Sequence, residues 1–363
     1  MKRMISMLMA TMLLTISLTG CGKTEQTEQI QMETPTATED TETEKSGIVV
    51  ETKDASEVTI TDQLGREVTI PADVERVVSS YYITTSLITA LNGADKLVGI
   101  EMKAETRPIY QKAAPKLLEL SQVGNNKTIS VEECAKLDAQ VVIIPVKLKE
   151  FIEPLEKLGI AVVVVEPETL EQFLDCVSLV GTILNETERA ESLRSYYMQK
   201  VEFAENLTKD ITDKPKVMIY GNEITEAATP QMYQSSVVTM AGGVNVTEGM
   251  KDKKWATVSA EQIMEWNPHV MINLSYSEFD MEEIASDSVL AQTEAVKSGQ
   301  LYTFPSKLEA WDYPTPSSAL GILWLTHILH PDVYGEDDFV KEAKDFYKTF
   351  YGIDVTEEEI GVL

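Results

Sequence analysis

The chain has 363 residues with 31 basic and 59 acidic side chains, a formal charge of -28 at pH 7, and a surface this acidic repels nucleic acid and anionic lipid alike. Three cysteines and three histidines are too few for a disulfide framework or for a His-rich loop that would gather bare zinc or manganese.

Lys2 and Arg3 precede an apolar stretch, Met4 to Leu18, that contains no acidic residue. At roughly 15 residues it falls short of the about 20 needed to span a bilayer, so residues 1–20 read as a secretory signal peptide that is removed. Leu18-Thr19-Gly20-Cys21 resembles a bacterial lipobox, which implies that Cys21 carries lipid and holds the chain at the outer face of the cell membrane. Removal of residues 1–20 takes away two basic residues and no acid, leaving 29 against 59, a formal charge of -30. Gly22-Lys23-Thr24 mimics the end of a phosphate-binding loop, but Ser17 stands where that motif needs its leading glycine. Residues 21–56 are rich in Thr, Glu, Gln and Asp and too polar to bury a core. They form an expected disordered acidic tether with a random-coil reach of about 30 to 35 Å.

From residue 57 the pattern changes. Val58-Thr59-Ile60 and Glu67-Val68-Thr69-Ile70 alternate around Leu64-Gly65 and predict a hairpin. Apolar runs at 76–79, 97–100, 141–144 and 161–165 then alternate with helical stretches at 83–92, 130–137 and 148–158, which predicts a largely parallel sheet. Cys134 and Cys176 fall in helical patterns and read as buried apolar side chains. Residues 169–212 carry one glycine, Gly181, and no proline. A break is expected at Asn185, followed by a helix from Glu186 to Lys209 about 36 Å long. Strand-like runs return at 216–220, 269–274 and 301–304. The expected organisation is α/β, with two Rossmann-like lobes at 57–168 and 213–363, one long backbone helix within the 169–212 connection, and a ligand cleft between the lobes.

Several ordered motifs carry a resemblance. Thr61-Asp62-Gln63-Leu64-Gly65-Arg66-Glu67-Val68 with Ile70-Pro71 and Glu75-Arg76-Val77-Val78 opens the series, and Ile129-Ser130-Val131-Glu132-Glu133 follows. Ala241-Gly242-Gly243-Val244-Asn245, Val258-Ser259-Ala260-Glu261-Gln262-Ile263 and Trp311-Asp312-Tyr313-Pro314-Thr315-Pro316 complete it. In this order they resemble the cobalamin- and iron-siderophore-type periplasmic binding proteins, the helical-backbone class of ABC-importer solute receptors, over nearly all of residues 57–352. The resemblance implies a monomeric, lipid-anchored protein that passes a small metal-containing chelate to an ABC permease and its ATPase. It also implies that one exposed glutamate per lobe docks on permease arginines, at Glu132 and Glu261. Read from the residues alone, both acids follow a helix-capping serine, Ser130 or Ser259, and stabilise a helix start.

Ligand contacts in open α/β sheets come from loops at the carboxyl ends of strands. Those loops supply Tyr81, Tyr82, Lys103, Lys147, Asn222, Tyr276, Trp311 and Tyr313, and Trp255 stands just before the Val258-Ser259 element. His327 and His330 share a helix face at a metal-like spacing but end an apolar helix before Pro331, which favours packing. No nucleophile elbow, dinucleotide fingerprint or H-E-x-x-H motif occurs. No enzyme activity, cofactor or protein-held metal is therefore expected. The solute stays open among ferric siderophore, haem, corrinoid and an oxyanion such as molybdate or tungstate. A chelate-remodelling or sensory lipoprotein is the alternative role.

Overall fold

The structure is a computed structural model that describes residues 51–54, 56–251, 254–305 and 307–361. The signal peptide, Cys21 and residues 22–50 lie outside the described residues.

Strands β1 (Glu51–Asp54), β2 (Glu57–Thr61) and β3 (Glu67–Pro71) form an antiparallel sheet in the order β1-β2-β3. This corrects the tether boundary, because residues 51–54 pair with β2. Polar composition predicted a coil there; an available strand edge overrides it by supplying backbone partners. The opening motif has a physical role at this turn. Asp62 is 3% exposed, and its Oδ1 accepts from Leu64 and Arg66 N–H, both at 3.0 Å. Its Oδ2 accepts from Val164 N–H at 3.3 Å, which ties the hairpin to the neighbouring sheet. Gly65 takes φ +75, the left-handed conformation that glycine adopts without a Cβ clash. Asp62→Ala should strand three buried or half-buried donors, and a loss of about 3 kcal/mol in urea unfolding is expected.

The first lobe holds a six-stranded sheet, built from β4 (Val77–Ser79), β5 (Leu97–Glu101), β6 (Ser121–Asn125), β7 (Thr128–Ile129), β8 (Val141–Pro145) and β9 (Ala161–Val165). Its order is β7-β6-β5-β4-β8-β9, parallel except for β7. Every residue of β8 is buried, as expected for a parallel strand covered by helices on both faces. The second lobe follows with β10 (Lys216–Ile219), β11 (Glu226–Ala228), β12 (Val244–Asn245), β13 (Trp255–Thr257), β14 (Val270–Asn273) and β15 (Leu301–Thr303). Its parallel sheet runs β12-β10-β14-β15, and β11 and β13 make an antiparallel pair beside it.

Helices Leu170–Leu184 and Thr187–Thr208 connect the lobes. Thr169 and Gln172 form a capping box at the first start, and Asn185 ends that helix in the left-handed conformation. Gly242, at φ +81, lies where a Cβ would meet the Thr208 side chain at 2.5 Å, so close packing on the long helix requires glycine there.

The chain after β15 does not stay with the second lobe. Glu309, 1% exposed, accepts from the Ser86 hydroxyl on a first-lobe helix, from Tyr351 Oη at 3.0 Å and from Ser317 N–H at 3.0 Å. Glu359 near the C-terminus pairs with Lys112 of the first lobe. Residues 308–361 therefore bind both lobes together, and a carboxyl buried with several donors holds that junction in one arrangement. Cys134 and Cys176 are buried thiols, and desolvation raises both.

Candidate functional site

Strand β4 lies between β5 and β8 and is the point from which the first-lobe sheet grows in both directions, the switch point at which open α/β sheets hold ligands. The loops leaving β4 and β5 place Ser80, Tyr81, Tyr82, Lys103 and Arg107 there. The second lobe contributes Tyr233, Gln234, Lys254, Trp255 and Tyr276, and the C-terminal segment that joins the lobes contributes Tyr313. Together they line a cleft of about 1080 Å³, the upper end of the size range for small-molecule sites.

The floor is an aromatic bridge across the lobes. Tyr82 meets Tyr313 edge-on at 6.2 Å and Tyr110 at 6.0 Å, and the Arg107 guanidinium sits 3.9 Å above the Tyr82 ring. A cation over a ring face is held by the ring quadrupole. Arg107 Nε is buried without a hydrogen-bond partner among the described residues, as is Ser80 Oγ. Two desolvated donors on one wall fit an acceptor-rich solute.

The wall carries four basic side chains, Lys103, Arg107, Lys127 and Lys254, and four acids, Glu101, Glu105, Glu166 and Glu168. Lys254 reaches across the mouth to Glu168 at 3.4 Å, an exposed pair that contributes little. Glu101 is buried, which raises its pKa despite hydrogen bonds from Thr85 and Tyr110. Side chains of the two signs are therefore equal in number on the wall, and burial opposes the charge on one of the acids, Glu101. Burial also raises the Tyr82 and Tyr313 phenols, so both face the solute as neutral hydroxyls at physiological pH.

Of the residues singled out in the sequence, Tyr81, Tyr82, Lys103, Trp255, Tyr276 and Tyr313 line the cleft. Lys147 lines a small adjoining cavity of about 30 Å³. Two assignments are corrected. Asn222 is not on the cleft wall; its N–H donates to Glu226 Oε2 at 2.9 Å in the turn between β10 and β11. Trp311 is a core residue, 1% exposed, whose indole N–H donates to Tyr347 Oη at 3.0 Å, because the Glu336–Tyr351 helix packs over it. Glu132 and Glu261 are exposed in the first turns of their helices, with Ser130 Oγ capping Glu133 N–H and Ser259 Oγ capping Gln262 N–H.

Arg107 and Gln234 escaped the sequence reading. The signal for Arg107 was its place beside Lys103 in the loop after β5, at an Arg-Pro helix start; Gln234 had none. His327 bonds the Tyr334 carbonyl at 3.0 Å and stacks on Phe339, and His330 lies 3.3 Å from the Gly242 carbonyl, so neither is turned to a metal. Among the described residues, no group of three or more His, Cys, Asp or Glu side chains could hold a metal ion, and no helix is long and apolar enough to cross a membrane.

Two α/β lobes with an amphipathic cleft at the first-lobe switch point have the architecture of a solute-binding protein. The profile of the periplasmic binding protein family matches residues 77–308, and the chain belongs to that family. A periplasmic solute binding protein from Veillonella parvula is 30% identical, with a TM-score of 0.75 over 83% of this chain and 95% of that one. The molybdate-binding protein MolA of Haemophilus influenzae is 25% identical over 317 residues, 80% of this chain and 90% of MolA. The structure of MolA bound to molybdate, the cognate binding protein of an ABC transporter, superposes with a TM-score of 0.72 at 23% identity, over 82% of this chain and 99% of that one. The protein is a solute-binding protein of the periplasmic binding protein family.

Proposed function

We propose that the protein captures a metal-containing chelate of the ferric siderophore, haem or corrinoid class and hands it to an ABC permease and its ATPase, binding the solute without transforming it. The observation that carries this reading is the cleft itself, about 1080 Å³ with tyrosines from both lobes around Arg107. Aromatic faces suit a flat or apolar chelate, and the guanidinium suits its carboxylate or catecholate oxygens. Lipid on Cys21 would tether the body at the membrane, and Glu132 and Glu261 would meet the permease.

A second reading, an oxyanion such as molybdate or tungstate, is favoured by the likeness to MolA and by the unpartnered donors Ser80 Oγ and Arg107 Nε. Such an anion would occupy a small part of the cleft.

Thermal shift of the purified mature protein separates the two. A solute at about 100 times its Kd adds about 2.7 kcal/mol of stability. Ferric tris-catecholate, haem or cobalamin should raise the melting temperature. If molybdate and tungstate alone do so, the oxyanion reading replaces the chelate. The anchor is tested separately: Cys21→Ala should leave unprocessed or mislocalised precursor, and unchanged detergent-phase partitioning with lipid labelling would refute it.

A further inference from the structure

One residue of the cleft wall holds a backbone conformation that its type does not favour. Among the described residues, five other than glycine take positive φ, and four of them are Asn92, Asp138, Asn185 and Asn267, whose short polar side chains tolerate the left-handed region. The fifth is Lys103, at φ 67 and ψ 29. A lysine Cβ there crowds the following carbonyl oxygen, and glycine or asparagine would fill the position at less cost.

The turn is fixed from both sides. Lys103 N–H donates to Gln122 Oε1 at 3.0 Å, and its carbonyl accepts from Thr106 N–H at 2.9 Å and from the Thr106 hydroxyl at 2.8 Å. Gln122 is held in turn, its amide donating to Glu105 Oε2 at 3.1 Å. Backbone strain persists where the surrounding structure over-determines it, and it gathers at sites that bind or react. Lys103 stands at such a place, on the cleft wall in the loop that runs from β5 to Arg107. Of the three cleft lysines, Lys254 alone pairs with an acid among the described residues. Lys103 is exposed, and its ammonium has no carboxylate within ion-pair distance among those residues, in a chain with 59 acidic side chains.

We propose that Lys103 is a specificity-determining residue of the cleft: its ammonium binds an anionic group at the outer end of the solute, and the strained turn is kept because it holds that cation on the wall. This rests on the reading that the cleft takes an anionic solute. It adds a second cation, separate from Arg107, and so favours a solute whose negative charge reaches the mouth. A polyanionic chelate can offer charge to both cations; an uncharged corrinoid offers none.

The test uses variants that keep the turn and remove the ammonium. Glycine and asparagine both adopt the left-handed conformation, so Lys103→Gly and Lys103→Asn leave the path to Arg107 in place. Both should melt above wild type, Lys103→Gly by about 2 °C. Calorimetry of the full chain with ferric tris-catecholate, sodium molybdate and cyanocobalamin reads binding. Both variants should bind whichever anion wild type binds about tenfold more weakly. Their affinity should also fall less steeply as sodium chloride rises, because one charge contact has gone. Lys103→Arg keeps the cation and should return affinity and salt dependence to near wild type. Unchanged affinity for the anion in Lys103→Gly, or melting no higher than wild type, overturns the proposal. A wild type that binds neither anion overturns it as well, whether or not cyanocobalamin binds. The chelate reading is judged apart. If molybdate alone binds and the variants weaken it tenfold, that reading falls and the role of Lys103 stands; if the ferric chelate binds and the variants hold it as wild type does, the reading stands and the role of Lys103 falls.

Discussion

Arg107→Ala is expected to weaken capture of an anionic solute by about a hundredfold while the body stays folded. The guanidinium is held over Tyr82 at 3.9 Å, and its Nε is already desolvated without an acceptor. Part of the cost of bringing this donor out of water is therefore met before the solute arrives. Charge-assisted hydrogen bonds contribute about 1.5 to 3 kcal/mol each, and a guanidinium can make two to one carboxylate or catecholate edge. The folded state loses the contact with Tyr82, about 0.5 to 2 kcal/mol. Arg107→Lys separates charge from shape: an ammonium keeps the cation and loses the planar fork, so its affinity should fall between the two. Calorimetric Kd values together with urea unfolding check this. Wild-type affinity in the alanine variant would move Arg107 to a purely structural role over Tyr82.

The second large effect is expected for delivery. Changing both Glu132 and Glu261 to lysine should bring uptake in cells to background while the purified protein binds its solute normally. Both side chains are exposed and one stands on each lobe. The capping hydroxyls of Ser130 and Ser259 accept from the residues that follow, Glu133 and Gln262, so the lysines leave those caps intact. The pKa of Glu261 is lowered by its own backbone N–H and by the Ser259 hydroxyl. An exposed helix-start charge contributes little to folding. Opposed like charges in an interface cost far more, and affinity for the permease should fall by more than about a hundredfold. Uptake equal to wild type at matched expression would reduce the two acids to helix stabilisers.

Much of the frame could be read locally. The apolar runs at 141–144 and 161–165 are β8 and β9, because strands buried on both faces need unbroken Val and Ile. Asn185 ends a helix in the left-handed conformation, which its short polar side chain tolerates. The hairpin at Leu64-Gly65 is equally local. Strand β6, Ser121-Gln122-Val123-Gly124-Asn125, was not legible, since nothing in that polar run favours a strand. It exists because β5 offers an edge to pair with, and it delivers Asn125 and the following Asn126 and Lys127 to the cleft.

The cleft shows the same division more sharply. The sequence by itself determined the α/β class, the two lobes, the joining helices and the loops at strand ends from which a solute would be held, because each follows from periodicity, caps and turn residues within a few positions. Trp311 and Tyr313 stand two residues apart in one such loop, and the sequence treats them alike. The tertiary structure alone decided that Trp311 is core and Tyr313 is wall. The reason is that Tyr347, 36 residues along the chain, supplies the acceptor for the buried indole, while Tyr82 of the first lobe supplies the edge contact for Tyr313. Arg107 over Tyr82 was decided in the same way: the two come together only when the chain closes on itself.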